Sequence, residues 1–321
     1  MAGDPSEATL AGSGEFTVID RLVAGRRQPP WVSLGPGDDA AVVAFPDGRT
    51  VVSTDMLVED RHFRLEWSTP HDVGRKAIAQ NAADIEAMGA RATAFVVGFA
   101  APAQTGTAQA VELADGMWHE AGLLGAGIVG GDLVSAPQWV ISVAALGDLG
   151  GREPVRRDGA RPGDTVAVAG HLGQSQAGYA LWQKGIEGFP ELRRRHLVPE
   201  PPYGQGELAA RAGATSMTDV SDGLLADLGH IATASGVLLD VSLESLAADL
   251  DDVAGAAAVA GGDAREWVLG GGEDHALAAT FPGELPAGWR PIGRVADPGG
   301  GAPGVTVDGA AWAGHAGWES F

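Results

Sequence analysis

Apolar and polar positions alternate along this chain with two periods, in short segments cut by glycine and proline. Phe16 to Val23 carries the helical period and predicts a short amphipathic helix. Ala40–Phe45 and Thr50–Thr54 predict strands that pair around the turn Pro46-Asp47-Gly48. A helix is expected from Pro70 to Met88, with Ser68 or Thr69 as its cap, proline in the first turn and Gly89 as its stop. Ala94–Phe99 reads as a strand and Thr107–Ala121 as a helix ended by Gly122. Ile128–Val129 and Trp139–Leu146 read as strands either side of a turn at Asp132.

A glycine- and arginine-rich stretch, residues 147–163, then marks a boundary. Beyond it come a strand at Thr165–Ala169, helices at Gln174–Lys184 and Asp222–Ser235, and strands at Val237–Val241, Ala276–Phe281 and Pro291–Val295. Leu224, Leu225, Leu228 and Ile231 share one face of the second helix. The chain is expected to be α/β (α+β). Residues 1–13 are small and polar and are expected to be disordered. Residues 14–149 form an N-terminal domain and residues 150–321 a C-terminal α/β domain.

Against this pattern, five groups of aspartates stand at segment ends: Asp38-Asp39 after Gly35-Pro36-Gly37, Ser53-Thr54-Asp55, Asp84, Gly130-Gly131-Asp132 and Asp219-Val220-Ser221-Asp222. Carboxylates gathered in this way are either solvated or hold hard cations such as Mg²⁺, and Mg²⁺ is usually shared with substrate phosphates. Asp84 shares a helical face with Val73, Ala77 and Met88, where a carboxylate is costly unless it is paired or bound to metal. Ser221 and Asp222 suit a helix N-terminus, but one cap needs only one such residue. Gly125-Ala-Gly127-Ile-Val-Gly130 matches G-x-G-x-x-G, but a helix precedes it and a strand follows, so dinucleotide binding is rejected. Gly170-His-Leu-Gly173 lies between a strand and a helix and reads as an ordinary turn. Gly270-Gly-Gly-Glu273-Asp274 again sets carboxylates on a glycine turn.

Composition narrows the chemistry. The 321 residues carry a net charge of −21, which argues against nucleic acid or an anionic membrane as partner. Only Lys76 and Lys184 are lysines, and no P-loop string occurs, so any nucleotide phosphates require metal ions for neutralisation. There are no cysteines, hence no disulfide framework, thiolate nucleophile or cysteine-ligated zinc. No apolar run approaches the ~20 residues of a membrane span. The opening residues lack the basic and apolar regions of a signal peptide, and a cytoplasmic enzyme is expected.

The ordered set Gly14-Glu-Phe, Gly37-Asp-Asp-Ala40, Ser53-Thr-Asp55, His62-Phe63, Ala87-Met-Gly-Ala90, Gly130-Gly-Asp132, Asp219-Val-Ser-Asp-Gly-Leu224, Asp227-Leu-Gly-His230 and Gly271-Gly-Glu-Asp274 resembles the thiamine-monophosphate kinase family. The resemblance implies the two-domain fold shared with aminoimidazole-ribonucleotide synthetase, with the N-terminal sheet pairing in the barrel of a homodimer. It implies transfer of the γ-phosphoryl of ATP to thiamine monophosphate, giving thiamine diphosphate and ADP. By the same resemblance, Asp39, Ser53, Thr54, Asp55, Asp84, Asp132, Asp219 and Asp222 would bind several Mg²⁺ ions. Gly131, Asp132, Arg157 and Ser221 would contact ATP, and His62, Glu273 and Trp318 the thiamine substrate. An acceptor phosphate is already deprotonated near neutral pH, so the reaction needs no general base. It needs charge neutralisation and in-line positioning. His275 stands where the family pattern suggests tyrosine, and Arg156 competes with Arg157 for the nucleotide.

Overall fold

The computed structural model describes residues 9–13, 15–36 and 40–318. They fall into two compact units, one of residues 1–85 and 92–151, the other of residues 86–91 and 152–321. The elements of the N-terminal half are α1 (Leu10–Ser13), α2 (Glu15–Val23), β1 (Val32–Leu34), β2 (Val42–Val43), β3 (Val51–Val58), α3 (Pro70–Ala87), β4 (Arg91–Ala101), α4 (Thr107–Leu123), β5 (Gly127–Ser135) and β6 (Val140–Asp148). A four-stranded sheet of order β3-β6-β4-β5 organises the first unit.

Thr69 opens α3 with a reciprocal cap. Its Oγ1 accepts from the Asp72 amide, and its own amide donates to Asp72 Oδ2, both at 3.1 Å. The strand pairing differs from expectation. β3 pairs with β6 over its whole length, from Val51 opposite Gly147 to Val58 opposite Val140. The segment around Val42 forms only a two-residue strand on β1. β6 offers β3 a full-length ladder and the buried side chains of Ile141, Val143 and Ala145, which the short segment after Ala40 cannot match. The expected turn at Asp132 is likewise corrected: β5 is one strand through Gly130, Gly131 and Asp132. It runs parallel to β4, which supplies the backbone partners that a turn would have forgone. Its single irregularity is an extra residue, Val129, between the Ile128 and Gly130 pairings. Residues 10–13, expected to be disordered, form the turn α1, because the Leu10 amide donates to Thr105 O and Ser13 Oγ meets Thr107 Oγ1.

The second unit contains β7 (Thr165–Ala169), α5 (Gln174–Gln183), α6 (Pro190–Leu197), α7 (Gln205–Arg211), β8 (Ser216–Val220), α8 (Leu224–Ser235), β9 (Leu238–Val241), α9 (Ala247–Ala260), α10 (Ala264–Gly270), β10 (Ala276–Phe281), β11 (Arg290–Ala296) and β12 (Gly304–Val307). Its six-stranded sheet has the order β12-β9-β11-β7-β10-β8, antiparallel except for β9 beside β12. Both faces of the central strands are covered. Val166 and Val168 of β7 join the larger core with Leu172, Leu224, Leu228 and Ile231. Ala167 and Ala169 join a smaller one with Met217, Leu277 and Phe281. The period of two thus serves two cores, and β7 and β10 read as largely apolar runs.

Candidate active site

In the first unit, the side chains of β3 alternate between the two faces of the sheet. Ser53 and Asp55 point to the side of α3: Ser53 Oγ donates to Asp84 Oδ2 at 2.6 Å, and the Asp55 amide donates to Asn81 Oδ1 at 2.9 Å. Asn81 is fully buried and is held in turn by Ala77 O. Gln80 Nε2 lies 3.5 Å from Asp55 Oδ2. Thr54 is exposed on the opposite face, so its hydroxyl does not join Ser53 and Asp55. Asp132 lies opposite Gly98 in the β4–β5 ladder, on the face that carries the exposed Val96 and Val134. It is therefore separated by the sheet from Asp55 and Asp84. Gly131, beside it, allows no side chain: a Cβ there would lie 2.1 Å from Val97 O. His62 is fixed in the turn after β3, its Nδ1 accepting from the Val58 amide at 3.0 Å. Its carbonyl accepts from the buried Lys76 Nζ at 2.8 Å.

In the second unit, three segments distant in sequence are tied together through their backbones. Asp219 is the penultimate residue of the buried strand β8, and Ser221 and Asp222 follow the strand. The Glu273 amide donates to Ser221 O at 2.7 Å, and the Trp318 amide donates to Asp222 O at 2.9 Å. The glycine run before Glu273 allows the approach, since a Cβ on Gly272 would lie 2.8 Å from Ser221 O. Trp318 leaves this anchor 62% exposed, a large aromatic surface facing solvent. His275 is buried with Nδ1 3.4 Å from Asp219 Oδ2.

Helix α8 begins at Leu224, two residues later than expected, and its cap is not the one the sequence suggests. Asp227, inside the first turn, accepts the amides of Asp222 and Gly223 at 3.0 and 3.1 Å. Ser221 and Asp222 are thereby relieved of capping. Similarly, the turn Gly170–Gly173 is filled by a carboxylate of the protein itself. Asp274 accepts from the amides of Gly173 and Ser175, the latter at 2.9 Å, at the start of α5.

Asp222 and Asp227 disfavour their own ionisation. Burial, and then the charge of Asp219, raise Asp222 above the ordinary aspartate value; the same two causes push Asp227 up to about 7. The Arg157 guanidinium opposes the shift at Asp222, whereas Arg156 is paired with Asp158. Among the described residues, one set of three side chains offers ligand atoms within 4.8 Å of one another: Asp222, Asp227 and His230. Asp55, Asp84 and Asp132 are not gathered so closely. Two of the three, Asp222 and Asp227, offer hard carboxylate oxygens that suit a hard cation such as Mg²⁺, and the third is an imidazole nitrogen. Asp39 lies outside the described residues. Sequence reading missed Asp227 and His230 as neighbours of Asp222, though their i, i+3 spacing on α8 was a usable signal.

Residues 37–149 match the family model described as AIR synthase related protein, N-terminal domain. The thiamine-monophosphate kinase of Mycobacterium tuberculosis is 69% identical over 313 residues, covering 98% of this chain and 93% of that protein. That of Corynebacterium glutamicum is 46% identical, covering 89% and 87%. Among solved structures, AaThiL complexed with AMPPCP and TMP matches with a TM-score of 0.78 and 31% identity, covering 96% of this chain and 97% of that one. The thiamine-monophosphate kinase from Stenotrophomonas maltophilia K279a matches with a TM-score of 0.76 and 32% identity, covering 92% and 95%. Hydrogenase maturation protein HypE, at 20% identity and a TM-score of 0.71, shares the fold. With identity this high over nearly the full length of both proteins, the chain belongs to the thiamine-monophosphate kinase family.

Proposed function

We propose that this chain carries out its family's reaction by direct in-line transfer, with aspartate-bound Mg²⁺ supplying the neutralising charge. As a member of the family it is an ATP-dependent kinase that phosphorylates thiamine monophosphate and yields thiamine diphosphate and ADP. A phosphate oxygen of thiamine monophosphate attacks the γ-phosphorus of ATP; the bond from that phosphorus to the β,γ-bridging oxygen breaks, and ADP leaves. The acceptor oxygen carries no proton near neutral pH, so no side chain serves as general base. Bound Mg²⁺ would stabilise the equatorial oxygens of the transferring group and offset repulsion between the two polyanions.

The residues divide by unit. In the first, Ser53, Asp55 and Asp84 form a polar set joined through Ser53 Oγ and would hold metal with Asp39, while Asp132, on the other face of the sheet, would hold an ion of its own and meet the nucleotide beside Gly131. Thr54, with its hydroxyl on the opposite face, stands outside this set. His62, with its ring fixed by the Val58 amide, would meet the substrate. In the second unit, Asp219 and Asp222 would hold metal, and Ser221 and Arg157 would meet the nucleotide. Glu273 would face the thiazolium cation and Trp318 would stack on the pyrimidine. The observation that carries this reading is the backbone tie of Glu273 to Ser221 and of Trp318 to Asp222, which unites a metal-ligand turn with both thiamine-facing side chains.

The kinase is also proposed to be a cytoplasmic homodimer. The sheet of the first unit exposes Val52, Met56, Val96 and Val134 on the face away from α3, a set that pairing with a second copy would cover. Among the described residues no helix is long and apolar enough to cross a membrane. The test of the reaction is a coupled ADP-release assay with ATP, Mg²⁺ and thiamine monophosphate. ADP and thiamine diphosphate should appear together, and both should vanish on chelation or when the acceptor is omitted. Turnover that survives chelation would refute the metal-assisted route.

A further inference from the structure

We propose that His196 is a positioning residue that aims the Glu273 carboxylate at the substrate cation; the inference rests on the reading of Glu273 given above. His196 lies in the last turn of α6 and is buried, 7% exposed. Its Nδ1 stands 3.5 Å from Glu273 Oε2 and 3.3 Å from Ser175 Oγ. Its ring packs on that of Tyr179, with centroids 5.4 Å apart. Ser175 also lines a small cavity with His171, Arg195 and Asp274. A buried imidazole with a packed face and two polar neighbours on one nitrogen has little rotational freedom. The tautomer with its proton on Nδ1 donates toward the carboxylate and the hydroxyl together.

Glu273 is held from its other end as well. Its backbone is left-handed, φ 63°, a conformation costly for any residue but glycine. The bond from its amide to Ser221 O keeps it there. Backbone and side chain are thus gripped by separate elements, the turn after β8 and the end of α6. A strained residue gripped twice is the arrangement expected where orientation matters more than local stability. A carboxylate that must meet a thiazolium needs one oxygen turned outward. An N–H donor on the other oxygen fixes that geometry without adding a charge that would compete with the substrate.

The test uses the full-length protein and steady-state kinetics in each substrate, with thermal melts alongside. His196→Phe keeps the ring on Tyr179 and removes the donor; His196→Asn places an amide nitrogen close to the Nδ1 position. The phenylalanine variant should raise the KM for thiamine monophosphate about tenfold and leave that for ATP within about twofold. The asparagine variant should recover most of the loss. Glu273→Gln should raise the same KM, and adding His196→Phe to it should have little further effect. If the phenylalanine variant does not fold, His196→Gln replaces it, since its amide reaches past the Nδ1 position. Equal changes in both KM values, no rescue by asparagine, or full additivity with Glu273→Gln would overturn the positioning role. A Glu273→Gln variant with unchanged KM for thiamine monophosphate would instead refute the assignment of Glu273 to the substrate.

Discussion

Alanine in place of Gly131 forces β5 away from β4 beside Asp132. The added Cβ would sit 2.1 Å from Val97 O and 3.1 Å from Val97 C, both backbone atoms in the middle of the parallel ladder, where no rotamer change relieves the clash. Restoring a normal contact means parting the strands by about 1 Å, which stretches a ladder hydrogen bond of about 2.9 Å out of range. Loss of two such bonds, with the strain that remains, costs about 2–4 kcal/mol. For a unit of this size the melting temperature should fall by about 5–10 °C. Gly130 provides the internal control. A Cβ there meets nothing within 4 Å, so Gly130→Ala should cost less than about 1 kcal/mol. Both variants are measured by thermal and urea unfolding, and by the Mg²⁺ dependence of ATP turnover. Equal stability of the two would refute the packing argument. Wild-type stability with impaired ATP use in Gly131→Ala would show that the glycine serves the nucleotide alone.

Three further outcomes are expected. Asp84→Asn should remain folded, since its amide oxygen can still accept from Ser53 Oγ, while kcat falls by about 10³ or more through loss of a charged metal ligand; turnover like the wild type would remove Asp84 from the metal site. Trp318→Ala should raise the KM for thiamine monophosphate more than that for ATP, with stability changed by less than about 0.5 kcal/mol because the side chain is largely exposed; equal effects on both substrates would detach Trp318 from the thiamine. Asp274 should impose a pH dependence, because burial raises its carboxyl from 3.8 to about 7. The folded state then holds the proton more tightly than the unfolded chain, so stability is lost as pH rises through that window. Relative to Asp274→Asn, which has no proton to lose, the wild type should weaken by about 1 kcal/mol or more between pH 5 and 7.5, with about 2.5 kcal/mol as the ceiling over that range. A constant difference in urea unfolding across that range would refute the shift.

The sequence by itself determined whatever depends on a few neighbouring residues. Thr69 and Pro70 announce the start of α3, and the apolar face of α8 is legible from four residues, because caps and helical periods are satisfied within one or two turns. The ordered aspartate motifs identified the family for the same reason: each is a local string. The tertiary structure decided the rest. β3 took β6 as its partner instead of the nearer segment, since strand choice follows the length of ladder and the apolar area that each candidate can bury. Asp132 became part of a strand on the opposite face from Asp55, a consequence of register that no local pattern encodes. Asp227 took over the cap of α8 and relieved Ser221 and Asp222 of it. His196 carried no signal beside Glu273, because a contact between distant segments exists only after the core has closed around it. Local chemistry is written in the spacing of residues; which distant groups meet is set by the packing of whole faces.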